Sequence, residues 1–363
     1  MAEKLSMDPV EFRRLNDTDK DWVTGKPYSS RSLMKCYDEA ASAFGWSRSD
    51  AKPGSMRRGD WLVGYGCATA CYPTQMGSCI ARVTLMEDGH ARGDTAAHDV
   101  GQGVKTVIGQ HAAHYLGLPE GSVEVHIGDS TLPPGPLAGG SISTASTGSA
   151  IKLASEKILA RLGNSVATTP EERRAAFARL GVREITEVGE YVAEGNKPEQ
   201  LAGLYKGFPA FSAAKAQAHT QFAFGAEFVE VHVHARTREV RVPRMVGAFA
   251  AGRIVNPRTA HSQLMGGMIW GVSSALHEST EIDPRRAAYM NSNLGEYLIP
   301  VNADIGEVDI ILVPEIDDKV NPAGVKGLGE LGNVGTAAAV ANAVYHATGK
   351  RIRDLPIRIE QLI

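Results

Sequence analysis

Cysteine is scarce in this chain, with four among 363 residues. Three of the four lie in CATACYPTQMGSC, at positions 67, 71 and 79, and their spacing differs from the C-x-x-C pairs of zinc sites. We therefore interpret the cysteines as small buried residues on strands. The eleven histidines form no metal-binding pattern either. His111 and His114 fall on a predicted helix and are expected to be surface or packed residues.

Long apolar runs and an excess of positive charge are also missing. No run is long enough to cross a bilayer, and the first residues, MAEKLSMDPVEF, lack the apolar core of a signal peptide. The net charge is -3, without a basic stripe. These absences predict a cytoplasmic chain with no membrane span and no nucleic-acid partner.

Several common catalytic motifs do not occur. The chain has no G-x-x-x-x-G-K-[ST] phosphate loop, no G-x-G-x-x-G register and no G-x-S-x-G nucleophile elbow. A P-loop enzyme, a Rossmann dinucleotide site and a serine hydrolase are therefore disfavoured.

Glycine, in contrast, is abundant, with 39 of 363 residues. That share exceeds the average of about 7% and points to tight turns or to close approach of backbone to a ligand. Strand-like and helix-like segments alternate without a regular βαβ period, which predicts an α+β fold of two intertwined lobes. The expected division is a helical segment over 1–57, a first lobe over 58–160, a surface excursion or linker over 161–206, and a second lobe over 207–363.

Three glycine-containing loops each precede a predicted helix: HDVGQGV (98–104), GGSISTASTGS (139–149) and KGLGELGNVG (326–335). The first N–H groups of a helix lack partners within it and attract phosphates. One such loop is usually only a turn, but three together indicate a phosphate-bearing cofactor. The third loop holds a single acid, Glu330, which is either an ordinary loop acid near a helix start or a general base enclosed by glycine backbone and apolar neighbours.

Four motifs in this order resemble one known family: DVGQG, IGDSTLPPGPLAGGSISTAS, GRIVNP with SQLMGG, and KGLGELGNVGTAAAVANAVYHATGKRIRDLPI. They resemble the second half of the molybdenum-binding large subunit of the xanthine dehydrogenase/aldehyde oxidase family, especially its bacterial three-subunit aldehyde oxidoreductase branch. The likeness runs from about residue 7 to the end, and the K-G-x-G-E pattern is its most specific part. It implies that both lobes bind molybdopterin.

The resemblance implies a molybdenum–molybdopterin cofactor, in bacteria usually the cytosine dinucleotide form. It implies oxidation of aldehydes to carboxylic acids, or hydroxylation of N-heterocycles such as purines, with oxygen derived from water. Glu330 would take the proton from Mo–OH, and hydride would pass to Mo=S. Electrons would leave through 2Fe-2S clusters and FAD on partner subunits.

The resemblance also implies cofactor contacts at particular positions. In chain order, these are Gly101, Gln102 and Gly103 at the pterin, Thr144, Ala145 and Ser146 at the cofactor's tail, Gln263 near the pterin, and Gly329 beside the base.

Two departures from the family pattern leave alternatives open. Ala250 and Ala251 stand where the family usually has an Asp-Gly pair, and the family subunit is about twice as long as this chain. The chain is then either half of a working hydroxylase, completed by an N-terminal half and by iron–sulfur and FAD subunits, or a catalytically incomplete cofactor-binding or scaffold fragment of a split or broken gene. Some relatives reach the periplasm through a partner's signal, so export with a partner stays open.

Overall fold

The computed structural model describes residues 1–163, 169–212 and 217–363. Its helices are α1 Pro9–Leu15, α2 Leu33–Phe44, α3 Val104–Leu116, α4 Ser143–Leu162, α5 Pro170–Leu180, α6 Leu201–Leu204, α7 Pro257–Leu276 and α8 Asn333–Thr348. Its strands are β1 Arg57–Arg58, β2 Trp61–Pro73, β3 Cys79–Met86, β4 Ala91–Asp94, β5 Val123–His126, β6 Glu184–Tyr191, β7 Phe222–His234, β8 Val240–Ala250, β9 Ile282–Asp283, β10 Ala288–Tyr289 and β11 Ile305–Leu312. No helix in the described ranges is both long and apolar enough to cross a bilayer.

Two mixed sheets organise the chain. The larger has the order β1-β2-β7-β8-β11 and the smaller the order β5-β4-β3-β6, while β9 and β10 form a separate pair. Strand β2 runs antiparallel to β7 along its whole length, and β11 joins β8 in parallel. The predicted α+β class is confirmed. Strand β2 belongs to the larger sheet but precedes the strands of the smaller sheet in the chain. The chain therefore runs from the larger sheet into the smaller one and back, so the two sheets are interwoven.

The segment 161–206, expected as a surface excursion, contributes to the smaller sheet. Strand β6 lies within it and pairs antiparallel with all eight residues of β3. Ile185, Gly189 and Tyr191 are buried at alternate positions, a strand pattern that the intervening charged residues obscure in the sequence. Residues 164–168 lie outside the described residues, and the domain boundaries stay a prediction.

Helix α8 lies directly on strand β2. A Cβ atom added to Gly66 would lie 2.1 Å from the carbonyl oxygen of Ala339, and one added to Gly64 would lie 2.0 Å from that of Ala343. Glycine at these two positions therefore lets the helix backbone touch the strand backbone. This contact fixes the middle of α8 against the larger sheet.

The N-terminal helices cover the other face of the larger sheet. Tyr37 and Phe44 of α2 are fully buried and pack in one cluster with Phe224 and Phe228 of β7. Helix α1 begins at Pro9 because Asp8 Oδ1 accepts a hydrogen bond from the N–H of Val10 at 2.7 Å.

The cysteines follow their predicted placement only in part. Cys67 and Cys79 are buried on strands, as predicted. Cys71 is exposed near the end of β2. Cys36, which lies outside the CATACYPTQMGSC stretch, is buried on helix α2. All four are free thiols.

Candidate active site

A cleft of about 400 Å³ lies where the N-terminal ends of α3, α4 and α7 face the loop before α8. Five of the nine residues proposed from the sequence line this cleft: Gln102, Thr144, Gln263, Gly329 and Glu330. They come from four separate parts of the chain, so the fold brings the sequence-predicted site together in one place.

Gly101 and Gly103 flank Gln102 in a tight loop at the start of α3. Their φ angles are 107° and 78°, in the left-handed region that favours glycine. Asp99 Oδ1 accepts hydrogen bonds from both of their N–H groups, at 3.0 and 3.1 Å. Gln102 Nε2 closes the loop by donating to the carbonyl oxygen of His98 at 2.7 Å. This loop therefore has a defined shape, although the sequence analysis did not single out Asp99.

The prediction that Thr144, Ala145 and Ser146 form a loop is wrong. Helix α4 already begins at Ser143, because a run of small residues continues the helix back to the turn at Ser141. Thr144 lines the cleft, whereas Ala145 and Ser146 are buried, and Ser146 Oγ accepts a hydrogen bond from the N–H of Gly77 at 2.9 Å. The N-cap residue, Ile142, supplies no side-chain cap, so within the described residues the first N–H groups of α4 are available to a ligand.

Glu330 is fixed by two hydroxyl groups. Its Oε2 accepts a hydrogen bond from Ser141 Oγ at 2.7 Å and another from the Tyr72 hydroxyl. The N–H of Glu330 also donates to Ser141 Oγ, at 3.1 Å. Within the described part of the chain no group donates to its other oxygen, Oε1. Burial, and then the hydrogen bond with Glu330, raise the pKa of Tyr72 to about 12, so the phenol stays a donor.

Neither hydroxyl residue was identified from the sequence. Ser141 lies inside the quoted GGSISTAS motif, so proximity in that motif was an available signal. Tyr72 lies on β2, 258 residues from Glu330, and its neighbours carry no local mark of the contact.

Gln263 and Gly329 meet beside Glu330. A Cβ atom added to Gly329 would lie 3.1 Å from Gln263 Oε1 and 3.3 Å from Ser141 Oγ. Glycine at 329 therefore allows the Gln263 side chain of α7 to reach the loop that carries Glu330. The amide of Gln263 offers both a donor and an acceptor at this point.

Two basic residues also line the cleft, and their surroundings differ. Lys326 is fully buried and forms ion pairs with Glu315 at 2.9 Å and Asp317 at 3.2 Å, so its charge is neutralised. Arg253 Nη1 donates to the hydroxyl of Tyr115 at 3.2 Å, and its guanidinium lies 5.6 Å from the centre of that ring. Arg253 therefore keeps its charge for a ligand at the ends of α3 and α7.

His111 is a packed histidine behind this wall. It is fully buried on α3 and stacks on Tyr115, with 5.7 Å between ring centres. Neither ring nitrogen has a hydrogen-bond partner among the residues that the structure describes. Burial lowers the pKa of His111 to about 3. The ring is thus neutral and acts as a spacer under the Tyr115–Arg253 pair. The described ranges contain no group of three His, Cys, Asp or Glu side chains that could hold a metal ion.

The cleft has room and chemistry for a phosphate-bearing ring cofactor. Gly266 lines it from α7, and a Cβ atom added there would meet nothing within 4 Å, so the glycine borders open space. The uncapped end of α4 and the charge of Arg253 suit phosphate oxygens. The amide of Gln263 suits the polar edge of a heterocycle. The Asp-Gly pair of the family is replaced here by Ala250, which is buried, and Ala251, which gives the cleft an apolar wall.

Residues 39–306 match the family model of the molybdopterin cofactor-binding domain. The chain belongs to this family, that of the xanthine dehydrogenase/aldehyde oxidase molybdenum-binding subunits. The resemblance drawn from the four motifs is thereby confirmed.

Two curated relatives and one solved structure illustrate the relationship. The chain is 38% identical over 366 residues to the aldehyde oxidoreductase molybdenum-binding subunit PaoC of Escherichia coli K12, covering all of this chain and 49% of that one. It is 28% identical over 388 residues to the putative xanthine dehydrogenase molybdenum-binding subunit XdhA of the same strain, covering 99% and 50%.

The aldehyde oxidoreductase of Desulfovibrio desulfuricans ATCC 27774 superposes with a TM-score of 0.77 at 27% identity, covering 99% of this chain and 38% of that one. The chain therefore spans about half the length of the curated relatives it matches.

Proposed function

We propose that this chain is the base-bearing half of a molybdenum hydroxylase that oxidises aldehydes to carboxylic acids or hydroxylates N-heterocycles such as purines. One observation carries the proposal. Glu330 lines a cleft together with Gln102, Thr144, Gln263 and Gly329, and hydroxyl groups from two other parts of the chain hold its carboxylate. A solvated loop acid has no need of such support.

The cleft residues would hold the cofactor, proposed here as molybdopterin cytosine dinucleotide. Gln102 and Gln263 would contact the pterin, with Gly101, Gly103 and Gly329 allowing close approach of the backbone. The N–H groups near Thr144, Ala145 and Ser146 would receive the tail. When bound, the cofactor supplies the electron acceptor and the oxygen atom derived from water.

Glu330 acts as the general base in this proposal. Ser141 and Tyr72 both donate to Oε2, which fixes the orientation of the carboxylate. Oε1 has no donor among the described residues and is the atom that would receive the proton of the attacking oxygen. The side chain thus combines a defined position with one free acceptor, as proton transfer requires.

Partner chains complete the proposed enzyme. Because the chain spans about half of PaoC and XdhA, the remaining half of the large subunit would supply the other wall of the active site. Iron–sulfur and FAD subunits would carry the electrons away, in the cytoplasm or in an exported complex. A second candidate is a cofactor-binding or scaffold fragment without turnover. It is favoured by the chain's span of only about half of its relatives' length and by Ala250 and Ala251 in place of the family's Asp-Gly pair.

The proposal is tested by Glu330→Gln in the chain purified with its partner subunits. We expect turnover on a panel of aldehydes and purines to fall by a factor of about 10² to 10⁴, because the amide cannot take the proton. Molybdenum per chain should stay at the wild-type level. Glu120→Gln, at an exposed loop position, is the matched control and should keep full activity.

Three outcomes separate the candidates. Unchanged turnover in Glu330→Gln would contradict the role of the base. Wild-type complex without molybdenum would favour the scaffold fragment. Loss of both turnover and molybdenum in Glu330→Gln would mean that the residue holds the cofactor rather than moving a proton.

A further inference from the structure

The segment 289–301, between α7 and β11, carries a concentration of exposed apolar side chains. Six large apolar residues in these thirteen positions are between 48% and 81% exposed: Tyr289, Met290, Leu294, Leu298, Ile299 and Val301. Connecting segments usually turn polar side chains to water. A contiguous apolar set of this kind marks a surface that another polypeptide covers.

Hydrogen bonds hold this segment in one shape against the end of α7. The Tyr297 hydroxyl donates to Glu278 Oε2 at 2.9 Å, and Asn291 Nδ2 donates to the carbonyl oxygen of Ser279 at 2.6 Å. The N–H of Glu281 donates back to Asn291 Oδ1 at 3.0 Å. The exposed apolar side chains are thus presented by a fixed scaffold, which lowers the entropy cost of binding.

A groove of about 430 Å³ lies beside the apolar side chains. Tyr289, Asn291, Leu294 and Tyr297 are among the residues that line it. Its combination of ring, amide and aliphatic surface suits one large anchoring side chain from a partner. Glu296 is the only charged residue in the segment, so charge does not select an acidic or basic partner.

We propose that the 289–301 segment docks the remaining half of the molybdenum-binding large subunit. In PaoC and XdhA the other half of the length belongs to the same polypeptide, so the two halves remain together permanently. Permanent interfaces are the most apolar class, and the segment has that character. The inference rests on the proposed function in one respect, that this chain is one half of such a subunit.

The first test uses the double variant Leu294→Asp with Leu298→Asp, purified with its partners from the source organism. We expect the molar amount of the remaining half recovered per chain, measured by quantitative mass spectrometry, to fall at least about tenfold, as for loss of a buried anchor. Leu15→Asp, on α1 and 72% exposed, is the control and should change recovery by less than about twofold. Where the two halves are separate chains, equal recovery in the double variant overturns the proposal; where they are one polypeptide, the crosslinking test below decides.

The second test locates the contact without perturbing it. Leu294→Cys is treated in the assembled complex with a short thiol-to-lysine crosslinker, and the crosslinked peptides are identified. Crosslinks to the remaining half support the proposal, and in a continuous polypeptide they appear as an intramolecular pair. Crosslinks to the iron–sulfur subunit, the FAD subunit or a second copy, or no crosslink, overturn it. Because turnover is not measured, failure here is distinct from failure of the role of Glu330.

Discussion

A buried lysine next to the loop that carries Glu330 gives the sharpest test of how this loop is held. Lys326 Nζ lies 2.9 Å from Glu315 and 3.2 Å from Asp317, and it also donates to Ser30 Oγ. The side chains of Lys326 and Asp317 are fully buried, and that of Glu315 is 3% exposed. One cation therefore pairs with two carboxylates in the interior and connects the N-terminal segment to the start of the Glu330 loop.

Lys326→Met keeps the aliphatic stem but removes the charge. Breaking a buried ion pair by removing one partner costs about 3–5 kcal/mol, because the remaining charge is uncompensated. A chain of this size melts about 2 °C lower for each kcal/mol lost, so we expect the melting temperature to fall by about 6–10 °C at pH 7. Lys319→Met, at an exposed lysine seven residues earlier, is the control and should leave it unchanged.

The pH dependence of the difference in melting temperature between wild type and Lys326→Met is the observation that can refute this reasoning. Burial acts to raise the pKa of Asp317, but the charge of Lys326 and hydrogen bonds from the Ser30 hydroxyl and the N–H of Lys319 outweigh it and hold the pKa below the ordinary value. The ionised carboxylate therefore stabilises the fold above its unfolded pKa of about 4, and this contribution is lost as the pH falls through the folded pKa. Melting curves of the assembled complex should show the largest difference in melting temperature between wild type and Lys326→Met at neutral pH. A difference that is absent at pH 7, or that grows in acid, would refute the reasoning.

Three further predictions concern the cleft and the sheet beneath it. Tyr72→Phe removes a donor to the Glu330 carboxylate and should lower kcat about ten- to hundredfold in steady-state kinetics, with molybdenum retained. Gly266→Ala should fold normally, because an added Cβ meets nothing within 4 Å, but should lower molybdenum per chain because the methyl group enters the cleft. Gly66→Ala should instead lower the soluble yield, because its Cβ would lie 2.1 Å from the carbonyl oxygen of Ala339 on α8. Burial raises the pKa of Glu227 to about 8, so the wild type should lose stability as the pH rises from about 4.5 to 8. Glu227→Gln should therefore melt at a higher temperature than wild type at pH 8, and the two melting temperatures should converge near pH 4. A difference in melting temperature that stays the same across this range would contradict the raised pKa of Glu227.

The parts of the site that were predictable are those with a local sequence signal. Gln102, Gly329 and Glu330 lie in glycine loops before helices, and such loops identify themselves within a few residues. The helix α7 and the β7–β8 hairpin are also elements with a local periodicity or alternation in the sequence. Local pattern pointed to the class of fold, to the three glycine loops and to Glu330, whereas the individual cofactor contacts, Gln263 among them, were implied by the family resemblance.

The parts that were missed depend on distant partners. Tyr72 reaches Glu330 only because β2 runs alongside the loop before α8, a relation between residues 258 positions apart. The burial of His111 depends on Gly148, where an added Cβ would lie 2.4 Å from His111 Nε2. The start of α4 at Ser143 was missed because serine, threonine and glycine favour turns, and packing overrode that local preference.

The glycine contact between α8 and β2 has a mechanical consequence for substrate exchange. With helix backbone against strand backbone, α8 has no intervening layer of side chains whose rotamers could absorb a displacement. The loop that carries Glu330 therefore cannot shift along β2 without moving the sheet itself. In the proposed function, Glu330 would then be a stationary reference against which a substrate is aligned.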